Sequence, residues 1–269
     1  MAGLRFYVVV FGQRRRGERW YGAASEHVGA AALDCLPRVF CGKRNRYKMG
    51  NDMIDFEAAR AKMVDGQIRT TDVTSHSVLS AFLSVPREAF VPDNLKALAY
   101  IDEDIQVAPG RYLMDPSPLA KLLQLAEIGR SELVLEIGAG TGYVSALLGR
   151  LAGAVFAVES DEQLASVAKS NLEKLGAANV TVVQCPLEAG YAKEGPYDLI
   201  FLSGSVEEVS PALFDQLRDG GRLIGVVGSG RAVRAHVFVK AGGSVSTSSL
   251  FNASIKPLPG FEKAREFVF

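Results

Sequence analysis

Residues 133–143 (Leu-Val-Leu-Glu-Ile-Gly-Ala-Gly-Thr-Gly-Tyr) constrain this chain more than any other stretch. Leu133, Val134, Leu135 and Ile137 form the apolar run of a strand covered on both faces, as in a parallel sheet. Gly138, Ala139, Gly140 and Gly142 make a turn with few Cβ atoms, so a ligand can approach its backbone. Val144, Leu147, Leu148 and Leu151 then recur at the spacing of an amphipathic helix. A strand, a glycine turn and a helix in that order present unpaired N–H groups at the carboxyl end of a strand, where open α/β sheets bind ligands. A second apolar run, residues 154–158, ends in Glu159, 21 residues after Gly138. An acid about 20 residues beyond such a turn reaches a ribose diol.

The ligand implied is a nucleoside-bearing cofactor, and two fit: a dinucleotide or S-adenosyl-L-methionine. A dinucleotide turn needs a third glycine where the helix packs on the strand, and that position is Tyr143. The pattern is instead Glu-x-Gly-x-Gly-x-Gly, beginning at Glu136 inside the strand. It resembles the first motif of the class I S-adenosylmethionine-dependent methyltransferases. The resemblance implies that the turn cradles the methionine part and that Glu159 holds the ribose hydroxyls.

Composition adds an asymmetry. The chain has 269 residues, 48% apolar and 22% charged, an ordinary globular composition with no net charge. Its first 51 residues carry ten Lys/Arg against three Asp/Glu, so everything after them is net acidic. Residues 4–11 are apolar but too few to span a bilayer, and the basic run follows them rather than preceding them as in a secretory signal. An organelle transit peptide and a nucleic-acid-binding arm are the functional readings of such a start. The reading preferred here is that residues 1–52 are a basic extension, disordered or foreign to the domain, and that a coherent domain occupies 53–269. An acidic domain argues against a nucleic-acid partner. Three cysteines, Cys35, Cys41 and Cys185, offer neither a pairing framework nor zinc spacing, which points to a reducing cytoplasm. His27, His76 and His236 are scattered, so no metal site or His-centred triad is indicated. No membrane partner is expected, and a monomer is.

From Met53 onward the pattern predicts a helix ending near Gly66. A second helix is capped by Thr74 or Ser75 and stopped by Pro86. Val-Pro-Arg-Glu-Ala-Phe-Val-Pro follows at 85–92, then Ala-Tyr-Ile-Asp at 99–102, a loop, and the glycine motif. This order resembles the protein-L-isoaspartate O-methyltransferase family over about residues 63–227, and the octapeptide is its most distinctive part. The resemblance implies methyl transfer from S-adenosylmethionine to the free carboxyl of L-isoaspartyl residues in damaged proteins. The ester then cyclises to a succinimide that can reopen as aspartate. The acceptor is a carboxylate already ionised at neutral pH, so no general base is needed and no catalytic residue is assigned.

The chain departs from that family twice. Where the family shows Thr-Ile-Ser-x-Pro, with its serine at the reacting carboxylate, this chain has Tyr112-Leu-Met114-Asp-Pro116. Methionine cannot donate a hydrogen bond, so Tyr112 or Ser117 is the nearest replacement, or the acceptor is different, or activity is lost. Arg111 beside them reads as a solvated arginine or an anion partner. Where the family places Gly-Asp-Gly, with the acid on adenine, this chain has Cys-Pro-Leu at 185–187. Pro186 has no acid to offer, and the backbone N–H of Leu187 is the candidate in its place. The expected fold is a doubly wound α/β sheet of seven strands, six parallel and one antiparallel, with an N-terminal helical cap. The alternative reading is a binding or regulatory module that keeps the fold without the isoaspartyl activity.

Overall fold

The computed structural model describes residues 54–228 and 233–263. The expectation for residues 1–52 lies outside the described residues. Contacts divide the chain at Asp52/Met53, and the second unit is the one described here.

The cap comes first. Helix α1 (Phe56–Met63) starts at Asp55, whose side chain accepts from the Ala58 N–H. It does not stop near Gly66. Helical turns continue through Val64–Ile68 and Arg69–Thr71 until Asp72 turns left-handed at φ 66°. A Cβ at Gly66 would meet nothing within 4 Å, so this glycine costs helix propensity but creates no break. Helix α2 (His76–Ser84) begins at Ser75, but no side chain of its own caps it. Gln124 Oε1 accepts from the N–H groups of Thr74 and Ser75 instead. The stretch between the Ala-Tyr-Ile-Asp motif at 99–102 and Pro116 is not simply a loop. It holds a separate antiparallel hairpin, β1 (Ile105–Ala108) and β2 (Arg111–Leu113), turning at Gly110 with φ 70°.

Helix α3 (Pro116–Ala126) follows, with Asp115 capping Ser117 N–H and Pro116 at the first turn. The main sheet then builds as β3 (Leu133–Ile137), α4 (Tyr143–Leu151), β4 (Ala154–Glu159), α5 (Glu162–Leu175) and β5 (Val180–Gln184). It continues as β6 (Tyr197–Val206), α6 (Pro211–Asp215), β7 (Leu217–Val227), β8 (Arg234–Ala241) and β9 (Ser244–Asn252). Helix α5 is fixed at both ends: Asp161 accepts from Leu164 N–H at 2.9 Å, and Gly176 turns left-handed after it. Each such cap stabilises by about 1 kcal/mol.

Sheet order is β5-β4-β3-β6-β7-β8-β9. The first five strands are mutually parallel and β8 is antiparallel to both neighbours, so six strands share one direction. Right-handed crossovers stepping from β3 to β4 to β5 put α4 and α5 on one face, and the reversal to β6 moves the later connections to the other. The apolar residues follow this split. Val134 packs with Leu147, Leu148 and the cap, whereas Leu135 and Ile137 pack with Ile200, Leu213 and Leu258 on the opposite face. The chain reverses direction between β3 and β6, and ligands of open α/β sheets bind at such a point.

The C-terminal segment runs back over this point as a strap. Ser205 N–H donates to Lys256 O, Leu258 N–H donates to Ser205 O, and Ser205 Oγ donates to Ile255 O at 2.9 Å. The β6–β7 register slips between Phe201 and Ser205, which frees the end of β6 to bridge Pro257.

Candidate active site

The turn after β3 is held from behind. Gly138 and Ala139 N–H groups both donate to Val158 O, at 2.9 and 3.0 Å. Gly138 has φ 90°, and a Cβ there would lie 2.6 Å from Leu258 of the strap, so only glycine lets turn and strap touch. Gly140 N–H is turned toward β4, where it donates to Glu159 Oε2 at 2.7 Å. Ser160 and Asp161 N–H groups donate to Oε1 of the same carboxylate. Glu159 also carries a bidentate ion pair: the Arg111 guanidinium, from the first residue of β2, donates to both oxygens. Both side chains are buried. Arg111 is therefore not a solvated arginine.

Glu136, in mid-strand, has no solvent exposure. Ser203 donates to its Oε1 at 2.7 Å, and its Oε2 has no hydrogen-bond partner. The nearby Ser145 hydroxyl is likewise buried and unpartnered. Burial pushes the Glu136 carboxyl up to about 7, opposed by the Ser203 hydroxyl and reinforced by the Glu159 charge. A buried acid with one free oxygen suits a cationic ligand group, such as the amino group of the cofactor's methionine half.

Two small cavities meet above the turn. One is lined by Gly138, Ala139, Gly140, Thr141 and Val144; the other by Arg111, Asp104, Ile255, Lys256 and Pro257. Tyr112, Met114 and Ser203 line both. They are about 20 and 10 Å³, room for a water each. A cleft of about 440 Å³ opens beyond the strand ends, between Ser160, Cys185, Pro186, Leu187 and Gly260. Leu187 N–H is the first of a short 3₁₀ turn (Leu187–Ala189), a position with no intrahelical acceptor. The structure thus brings Glu136, Gly138, Ala139, Gly140, Glu159, Tyr112 and Met114 together and sets Leu187 in the adjoining cleft. Ser117 is engaged elsewhere, donating to Gln67 O and Asp102 at 3.2 Å each.

Sequence reasoning assigned no role to two parts of this site. Arg87, inside the octapeptide, is wholly buried. It donates to Ala99 O at 2.7 Å and Met114 O at 2.8 Å, and its guanidinium lies 5.0 Å from the centre of the Tyr143 ring. Burial lowers its pKa, opposed by Tyr143. Phe90 packs edge-on against the same ring, and Thr141 donates to Phe90 O at 2.6 Å. The octapeptide is thus a clamp joining the cap, the Met114 loop and the start of α4. The second part is the strap, where Lys256 sits 5.6 Å from the Tyr112 ring centre. It lies beyond residues 63–227, where the family resemblance was drawn, and its apolar pattern is short.

Known proteins resemble this chain in sequence and in fold. Residues 58–261 match the family model described as protein-L-isoaspartate(D-aspartate) O-methyltransferase. The chain belongs to that family. A protein-L-isoaspartate O-methyltransferase of Koribacter versatilis is 36% identical over 209 residues, 78% of this chain and 94% of that protein. One from Methanoculleus marisnigri is 37% identical, covering 75% and 91%. A solved protein-L-isoaspartate O-methyltransferase superposes with a TM-score of 0.67 at 29% identity, and the match spans 75% of this chain and 66% of that one. A Plasmodium falciparum structure of the same description, in complex with S-adenosyl-L-homocysteine, shares the fold at TM-score 0.63 and 17% identity. Among the described residues, no helix is long and apolar enough to cross a membrane, and no cluster of His, Cys, Asp and Glu could hold a metal ion.

Proposed function

We propose that this chain is an S-adenosyl-L-methionine-dependent methyltransferase that esterifies the free carboxyl of L-isoaspartyl residues in damaged proteins, opening their repair. The observation that carries the reading is a buried pair of acids, Glu136 and Glu159, flanking a glycine turn in a chain of this family. When bound, S-adenosylmethionine supplies an electrophilic methyl group, which a carboxylate oxygen takes as the carbon–sulfur bond breaks and its electron pair stays on sulfur. Glu136 Oε2 would receive the amino group. Gly138, Ala139 and Gly140 allow close approach, Glu159 would hold the ribose diol, and Leu187 N–H would meet adenine beside Pro186.

Attack by an anion on a cationic donor removes both charges, so a site that excludes water favours the transition state over the separated ions. The strap, the hairpin and the buried Met114 side chain close this site from solvent. The protein then has only to align the reactants, a contribution of several kcal/mol without any acid or base.

We also read residues 53–269 as the methyltransferase domain, supported by the family match over 58–261. Isoaspartyl-containing proteins as substrates, a cytoplasmic setting and a monomeric state belong to the same proposal. The test is product analysis. An isoaspartyl peptide incubated with the protein and S-adenosylmethionine is expected to give S-adenosylhomocysteine, then succinimide and aspartyl peptide on chromatography. S-adenosylhomocysteine without loss of the isoaspartyl peptide would refute the repair reading.

A further inference from the structure

Glu159 is the acid a ribose diol must reach, yet it is fully engaged. A carboxylate offers about four acceptor positions. Here five N–H donors crowd it, two from the Arg111 guanidinium and one each from Gly140, Ser160 and Asp161. The three N–H groups belong to the turn and to the start of α5 and cannot leave without unfolding them. Arg111 can leave, because it sits on a hairpin whose strands pair only with each other. A diol therefore replaces the guanidinium rather than joining it. The displaced side chain already lines the cavity on the strap side, with Tyr112, Met114, Ser203 and Lys256. An acceptor carboxylate entering there needs donors, and the Met114 side chain supplies none. A guanidinium binds a carboxylate by two parallel hydrogen bonds, the geometry Arg111 shows on Glu159. Asp104 also lines this cavity, but its Oδ1 already accepts from the Asp115 N–H at 2.9 Å, so it cannot offer both oxygens to the fork.

We propose that Arg111 is the acceptor-binding group of this chain, held on Glu159 until the cofactor's ribose diol displaces it into the acceptor cavity. The exchange itself needs only the cofactor; the identity of the acceptor rests on the repair reading. Binding is then ordered, cofactor before acceptor. By linkage each ligand tightens the other.

The test is S-adenosylhomocysteine titration of the full chain and of Arg111→Gln, with and without an isoaspartyl peptide, alongside steady-state kinetics. Without the competing guanidinium, R111Q binds S-adenosylhomocysteine on the order of tenfold more tightly. Its peptide KM rises at least about tenfold while kcat changes by less than about threefold, because a guanidinium that only positions the carboxylate holds it alike in the ground and transition states. Peptide tightens S-adenosylhomocysteine in the unmodified protein and not in R111Q. Arg111→Lys, which keeps charge but not the fork, recovers part of the KM. If R111Q does not fold, R111K carries the test with the same signs.

Equal or weaker S-adenosylhomocysteine binding by R111Q overturns the exchange. Tighter binding with an unchanged peptide KM overturns the acceptor role and leaves Asp104 as the landing place. An unmodified protein that methylates no isoaspartyl peptide overturns the acceptor role together with the repair reading, while the two titrations still decide the exchange.

Discussion

Glu136 couples the site to pH. Burial raises its carboxyl to about 7 in the folded protein, above the ordinary value of 4.5. Its contribution to stability is therefore fully present below about pH 4.5 and is lost as pH rises through about 7. A cationic amino group beside Oε2 favours the ionised form, so cofactor binding expels a proton in that window. The affinity for S-adenosylhomocysteine is predicted to rise between about pH 6 and pH 8 and then level off. Glu136→Gln flattens this dependence, which calorimetry in buffers of different ionisation enthalpy would show. At Met114, 3% exposed, serine leaves a small void and costs stability, about 1–3 kcal/mol. If Arg111 already supplies the acceptor's donors, Met114→Ser changes isoaspartyl turnover by no more than about tenfold. A gain beyond about a hundredfold would mean that the loop had lost its only donor. The acids Glu136 and Glu159 were legible in the sequence because strand periodicity and the distance from the glycine turn place them. The partner of Glu159 was not, because Arg111 is 48 residues away and no local pattern encodes a contact across that separation.

At the scale of elements, the octapeptide at 85–92 and the strap at 253–263 decide how tightly the site closes. Arg87→Met would leave the buried carbonyls of Ala99 and Met114 without their donor. The expected cost is about 2–4 kcal/mol, a fall of about 10 °C in melting temperature, read by calorimetry. An unchanged melting temperature would contradict the clamp. Leu258→Ala removes most of a side chain that is 5% exposed and rests on Gly138. The same variant should lose about 2–3 kcal/mol in urea unfolding and bind S-adenosylhomocysteine with a faster association rate in stopped flow. Strands β3 and β4 and helices α3 to α5 were readable because their apolar periods are long and their caps are local. The β1–β2 hairpin was not. Its strands are four and three residues long, and Asp102, Glu103 and Asp104 ahead of it read as a loop.

At the scale of the described molecule, the sheet order and the reversal between β3 and β6 put Glu136, the glycine turn and Glu159 at one end of the parallel strands. The parallel strands were legible from the alternation of apolar runs and helical stripes, whereas the count of six in one direction and one opposed came with the resemblance to the class I methyltransferases. The closure of the site was not, since it depends on a cap and a strap more than a hundred residues apart in the chain folding onto the same turn. Repair activity requires that this closed site still accept an isoaspartyl carboxylate although its loop has methionine in place of a hydroxyl. Transfer of radiolabelled methyl from S-adenosylmethionine to an isoaspartyl peptide, with its aspartyl twin as control, tests that requirement most directly. Base-labile label on the isoaspartyl peptide alone is the predicted result; no label on either peptide, with cofactor bound, would contradict it.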